Sequence, residues 1–138
     1  MKCYLDSSVV LRVLINQPGA WRDWGNWEKA WSSALLRVET MRTVERLRTT
    51  GELLERDAVR LIEAVEDVCN ALVLVPVSDA ILRRACEPFR TLIATLDAIH
   101  LASALMIYEE LSEPLSFVTH DIKLARAARA HRLQVEGV

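Results

Sequence analysis

Cys3-Tyr4-Leu5-Asp6-Ser7-Ser8-Val9-Val10-Leu11-Arg12-Val13-Leu14-Ile15 changes its structural period partway along. Cys3-Tyr4-Leu5 reads as a short buried strand ending at Asp6. Ser7 and Ser8 read as a helix start, and the apolar residues that follow carry the helix until Pro18-Gly19 stops it. The same order of strand, acid and helix returns near the other end. There Ser116-Phe117-Val118-Thr119 reads as a second short buried strand, and a helix runs from Asp121 to His131.

Between these two units the pattern predicts mostly helix. Residues 21–31 can form one, placing Trp21, Trp24, Trp27 and Trp31 on a single stripe. Ser32 to Leu36 reads as a strand-like entry to a long polar-faced helix through Arg48, ended by Gly51. Ala58, Leu61, Ile62, Val65 and Val68 or Cys69 recur at helical spacing between Arg56 and Asn70. Ala71-Leu72-Val73-Leu74-Val75 is a continuous apolar run, the pattern of a strand covered on both faces. Ser78 caps a helix to about Phe89, a very apolar helix runs from Asp97 to about Tyr108, and Leu133-Gln134-Val135 forms a last edge strand. Short apolar strands separated by helices predict an α/β fold, a parallel sheet with helices on both faces. In such sheets sites form at the carboxyl ends of strands, where Asp6 and Asp121 lie.

The chain has 138 residues, enough for one domain over 1–138 with a real core. At 51% hydrophobic and 26% charged residues it has the balance of a globular chain, not a disordered one. A net charge of −2 means that any nucleic-acid binding must use a local basic surface. Cys3, Cys69 and Cys86 are odd in number and far apart, which excludes a disulfide framework or a zinc ribbon and predicts buried thiols in a reducing, cytoplasmic setting. Asp6 interrupts the first apolar run too early for a signal peptide. Asp97 and His100 likewise interrupt Leu92–Tyr108, which argues against a membrane span.

Among nineteen acidic residues, most belong to solvated surface. Asp97 is distinguished by Leu92-Ile93-Ala94-Thr95-Leu96 before it and Ala98-Ile99-His100-Leu101-Ala102-Ser103-Ala104-Leu105 after it. An unpaired carboxylate in so apolar a helix is expensive, so Asp97 is either an N-cap or a ligand. Asp6 and Asp121 carry the same two readings at their strand-to-helix turns. Glu39, among Arg37, Arg42, Glu45, Arg46 and Arg48, reads on its own as a surface ion-pair residue.

Four strings taken together are more specific. Tyr4-Leu5-Asp6-Ser7-Ser8, Ser33-Ala34-Leu35-Leu36-Arg37-Val38-Glu39, Leu96-Asp97-Ala98-Ile99-His100-Leu101-Ala102-Ser103-Ala104 and Thr119-His120-Asp121-Ile122-Lys123-Leu124-Ala125-Arg126-Ala127-Ala128 follow in order. In that order and spacing they resemble a PIN domain, and more narrowly the VapC-type ribonuclease toxins of toxin–antitoxin pairs, over residues 3–135. The resemblance implies a three-layer α/β/α sandwich around a short central parallel sheet. It also implies RNA cleavage with Mg²⁺ or Mn²⁺ held by acidic residues, and a cognate antitoxin as partner. Carried over residue by residue, the ligand and catalytic positions are Asp6, Glu39, Asp97 and Asp121, with Ser7 or Ser8 and Thr119 as the accompanying hydroxyls. None of the four acids is missing.

The chemistry suits these residue types. Hard divalent cations prefer oxygen ligands, and converging carboxylates repel one another until a cation relieves them. The expected roles are Asp6 and Asp97 as principal ligands, Asp121 as a ligand directly or through water, Glu39 orienting the attacking water or completing a second metal position, and Thr119 or a nearby serine (Ser7 or Ser8) positioning a ligand or substrate phosphate by hydrogen bonding. A His120/Asp121/His131 iron triad fails, because ten helical residues span about 15 Å. His100 reads as a packed or hydrogen-bonded core histidine. The second Asp of a DxD phosphatase turn, a P-loop and a GxSxG elbow are all absent.

Two basic groups start beside these acids, Arg37/Arg42/Arg46/Arg48 and Lys123/Arg126/Arg129/Arg132. They are either solvated helix faces or guides for RNA phosphates, for which Arg37, Lys123 and Arg126 are the nearest candidates. Trp24 and Trp27 are either core or part of a contact with an antitoxin or a second copy in a homodimer. The competing function is a PIN-fold RNA-binding or RNA-processing module, not a toxin, with little cleavage activity.

Overall fold

Alternation along the first strand sets the layers. In β1 (Lys2–Leu5), Cys3 and Leu5 point to one face and Tyr4 to the other, the period-two consequence of the pleat. Ala30 and Trp31 divide in the same way in β2 (Lys29–Ser33), as do Val118 and Phe117 in β4 (Ser116–Val118). Two cores result, one on each side of a single sheet. The computed structural model describes residues 1–138.

The remaining elements, in chain order, are α1 (Ser7–Leu14), α2 (Leu35–Thr49), α3 (Glu55–Ala71), β3 (Val73–Val75), α4 (Asp79–Ala85), α5 (Thr95–Glu110), α6 (Ile122–Ala130) and β5 (Gln134–Glu136). All strand pairs are parallel, in the order β3-β2-β1-β4-β5, with Tyr4 in register with Trp31 on one side and Phe117 on the other. One core joins Val9, Val10, Val44, Leu61 and Val65 of α1, α2 and α3 beneath Cys3 and Leu5. The other joins Leu101, Ala104 and Leu105 of α5 and Leu124, Ala127 and Ala128 of α6 beneath Tyr4 and Phe117. This is the expected α/β/α sandwich. Because β1 is central, its carboxyl end lies where α1, α5 and α6 begin.

Four sequence expectations are corrected. Residues 21–31 form no helix: Gly25 takes φ 81°, a left-handed conformation that ends any helical run, and Trp31 belongs to β2. The tryptophans therefore share no stripe. Trp21 stacks on Trp27 at 6.3 Å, Trp24 meets Trp27 edge-on at 5.2 Å, and all three pack on the first core. Trp31 faces the second core. The strand after α3 is an edge strand with Val73 45% exposed, not one covered on both faces. The helix capped by Ser78 stops at Ala85, three residues ahead of Pro88, which cannot continue a helix. Lastly, Cys3 and Cys69 are buried but Cys86 is exposed. No helix is long and apolar enough to cross a membrane.

Candidate active site

Asp6 is the N-cap of α1 and only 3% exposed, so its carboxylate needs partners. Its Oδ2 accepts from the Ser8 N–H (3.3 Å), the Ser8 hydroxyl (2.5 Å) and the Thr119 hydroxyl (2.9 Å). Thr119, fully buried at the end of β4, accepts in turn from the Asp121 N–H at 3.0 Å, and Ser8 Oγ accepts from the His120 N–H at 3.0 Å. These bonds tie the ends of two adjacent strands together. Asp121 caps α6 through Oδ1, which accepts from the Leu124 N–H at 2.8 Å. For Asp6 and Asp121 the cap reading is thus correct, and each cap uses one carboxylate oxygen. Asp6 Oδ1 and Asp121 Oδ2 are left for a ligand.

Asp97 stands in the first turn of α5, where the N-cap is Ala94, so the N-cap reading fails for it. The helix is buried from Ala98 to Leu105, whereas Leu96 and Thr95 are exposed and Asp97 is half-buried at the boundary. Burial pushes its carboxyl above the ordinary value, and the charges of Asp6 and Asp121 push it further, against the Ala94 backbone and His100, which lower it. Asp97 therefore feels the charges of two acids from two other helix starts.

Glu39 is not the surface residue its neighbours suggest. Its side chain is 17% exposed, Oε1 accepts from the Ser7 hydroxyl at 3.2 Å, and Oε2 meets His100 Nε2 at 2.8 Å. Since Ser7 follows Asp6 directly, this bond brings Glu39 of α2 to the same end of β1. His100, read from sequence as a hydrogen-bonded core residue, is completely buried and is bonded to Tyr4 as well as Glu39. Sequence reasoning did not link it to the acids. The available signal was its place one turn after Asp97 on the same helix.

The basic candidates divide. Arg37 forms an ion pair with Glu66 of α3, and Arg48 pairs with Glu45 and Glu55, so neither is a free cation beside the acids. Lys123 and Arg126 are exposed on α6, which Asp121 caps, and form no ion pair. The apolar concavity of about 670 Å³ between α4 and the start of α5 contains no acid and is not the chemical centre.

The donor set bears on the choice of metal. No three of the chain's His, Cys, Asp or Glu side chains stand close enough to enclose an ion by themselves. The available groups are hard carboxylate oxygens, the donor type that Mg²⁺ or Mn²⁺ takes, with Mg²⁺ needing only one or two carboxylates while keeping several waters.

The close of the chain supports this end of the sheet. Gly137 has φ 91°, and a Cβ there would stand 2.6 Å from the Thr119 carbonyl oxygen. Its own carbonyl oxygen lies 2.6 Å from His120 Nδ1, and the Thr119 N–H donates to the Glu136 oxygen at 3.1 Å. Gly137→Ala should therefore cost about 1–2 kcal/mol from the left-handed backbone alone, read as a lower denaturant midpoint. An unchanged midpoint would refute the close approach.

Comparison with known proteins agrees with this architecture. The PIN domain family matches residues 3–130. Ribonuclease VapC47 of Mycobacterium tuberculosis (strain CDC 1551 / Oshkosh) is 32% identical over 133 residues, which cover 91% of this chain and 89% of that protein. The fold is shared with a toxin–antitoxin complex from Klebsiella pneumoniae (TM-score 0.69, 14% identity, 98% of this chain and 96% of that one). It is shared too with FitAcB from Neisseria gonorrhoeae (TM-score 0.66, 19% identity, 96% of this chain and 95% of that one). The chain belongs to the PIN-domain family and stands within it among the VapC-type proteins.

Proposed function

We propose that the chain is a metal-dependent endoribonuclease, the toxin of a toxin–antitoxin pair, cleaving RNA phosphodiester bonds at the Asp6/Glu39/Asp97/Asp121 cluster. What supports the reading is that Asp6 and Asp121 stand at adjacent strand-to-helix turns, that their charges reach Asp97 of α5, and that Glu39 of α2 is hydrogen-bonded to Ser7, the residue after Asp6. Its relative VapC47 is named a ribonuclease. A divalent ion such as Mg²⁺ or Mn²⁺ held there would supply a water of lowered pKa and would polarise a phosphoryl oxygen.

The protein's own groups do the rest. Asp6 and Asp97 would be the principal ligands, Asp121 would be a ligand directly or through water, and Glu39 would orient the attacking water or complete a second metal position. Thr119 and Ser8 fix the Asp6 carboxylate, and Ser7 fixes Glu39. Lys123 and Arg126 guide RNA phosphates toward the acids, while Arg37 reaches them only by leaving Glu66. A cognate antitoxin is the partner. The exposed Leu82, Leu92 (95% exposed) and Leu96 offer apolar area to it or to a second copy in a homodimer, and the half-buried Trp24 and Trp27 offer less. The expected setting is the cytoplasm.

Induced expression in a bacterial host tests the reading. Growth should stop, new RNA ends should appear within minutes, and coexpression of the antitoxin should restore growth. Normal growth with RNA ends unchanged at full expression would favour the rival, a binding or processing module.

A further inference from the structure

Glu39 has a long side chain, and nothing else on α2 restrains its carboxylate. Each oxygen is held from outside that helix, Oε1 by Ser7 and Oε2 by His100. His100 is held in turn. Its Nδ1 lies 3.1 Å from the Tyr4 hydroxyl, and the two rings meet edge-on at 6.0 Å. Tyr4 is itself completely buried in the central strand and stacks on Phe117 at 5.6 Å with the rings nearly parallel. The imidazole therefore cannot turn without losing a partner at one nitrogen or the other.

We infer that His100, braced by Tyr4, is a positioning residue that sets the rotamer of Glu39 at the active site. Hydrogen-bond polarity follows from the partners. A carboxylate oxygen accepts, so Nε2 carries the hydrogen and donates to Glu39, while Nδ1 is bonded to the Tyr4 hydroxyl. Because Asp97 and His100 lie one turn apart on α5, the helix that presents one acid to the site also clamps another. Burial makes the arrangement stringent, since a lost partner leaves a polar group unsatisfied in a low-dielectric interior. The catalytic consequence rests on the proposed ribonuclease reading. The positional one does not.

Two variants of the full chain separate the cases. In His100→Gln the amide nitrogen can occupy the place of Nε2 and still donate to Glu39. In His100→Asn it occupies the place of Nδ1, and Glu39 loses its partner. Crystal structures should show Glu39 in its parent rotamer in the Gln variant and displaced in the Asn variant. For RNA cleavage with Mn²⁺, His100→Asn should lower kcat about 10–100-fold with KM little changed, the usual scale for groups that orient a metal site's residues. His100→Gln should restore most of that loss, and in a Glu39→Gln background the Asn effect should vanish. A parent rotamer for Glu39 in His100→Asn overturns the inference, as does an undiminished His100→Asn effect in the Glu39→Gln background. If Glu39 moves but the parent chain cleaves no RNA, the positioning stands and the ribonuclease reading fails.

Discussion

Asp97→Asn will abolish metal-dependent RNA cleavage while raising the melting temperature. Loss of activity follows from removing a carboxylate assigned as a principal ligand. Metal stabilisation of a reacting phosphate amounts to several kcal/mol, and at about 1.4 kcal/mol per tenfold the loss is roughly a thousandfold or more. The stability gain follows from the sign of the carboxyl's shift. Burial, then Asp6 and Asp121, raise it above its ordinary value of 3.8, so the folded protein holds this proton more tightly than the unfolded chain. That contribution is fully present below 3.8 and is lost as pH rises through the folded-state value. At neutral pH the charged side chain is therefore a cost, and the neutral isostere removes it. Because the group is only half-buried, solvent screening keeps the gain small, and the expected reading is a modest rise in Tm. Lost cleavage at a lowered Tm would signal damage to the fold instead. Unaltered cleavage would remove Asp97 from the mechanism.

The second large effect lies beneath the site. Phe117 is fully buried in β4, stacks on Tyr4, and sits among Leu101, Leu105 and Leu124. Phe117→Ala should cost about 3–5 kcal/mol through lost apolar burial and the cavity left behind. Domains are held by only about 5–15 kcal/mol, so the urea midpoint should fall sharply. Tyr4 would lose the ring that braces it, and with it the support of His100 and Glu39. A loss below about 1 kcal/mol would mean that the second core repacks around the gap.

Much of the architecture was legible because it is written in short-range patterns. The short buried segments at residues 3–5 and 116–118 follow the period of their own strands; Asp6 directly follows the first and caps α1, and Asp121 stands three residues beyond the second and caps α6. The tryptophan segment misled for a physical reason. Spacings of three and four residues match a helix face, yet a glycine in the left-handed region and a strand partner for Trp31 override that signal. Val73-Leu74-Val75 misled as well, since an apolar run reads alike in an inner and an edge strand.

At the site, legibility ended where contacts become long-range. Glu39 was placed only by family resemblance, because the partner that buries it, His100, is 61 residues away. His100 looked like core for the same reason: Tyr4, its other partner, is 96 residues away. Arg37 looked free because Glu66 is 29 residues along the chain on another helix. Local sequence shows which side chains are available, and the sheet order decides which of them meet.

Cleavage of end-labelled RNA by the purified chain, with Mg²⁺ or Mn²⁺ and then with excess EDTA, tests the central claim most directly. The expected result is discrete cleavage with either ion, none in EDTA, and recovery when the ion is restored in excess. Cleavage that persists in EDTA at the same rate would contradict a metal-dependent carboxylate site.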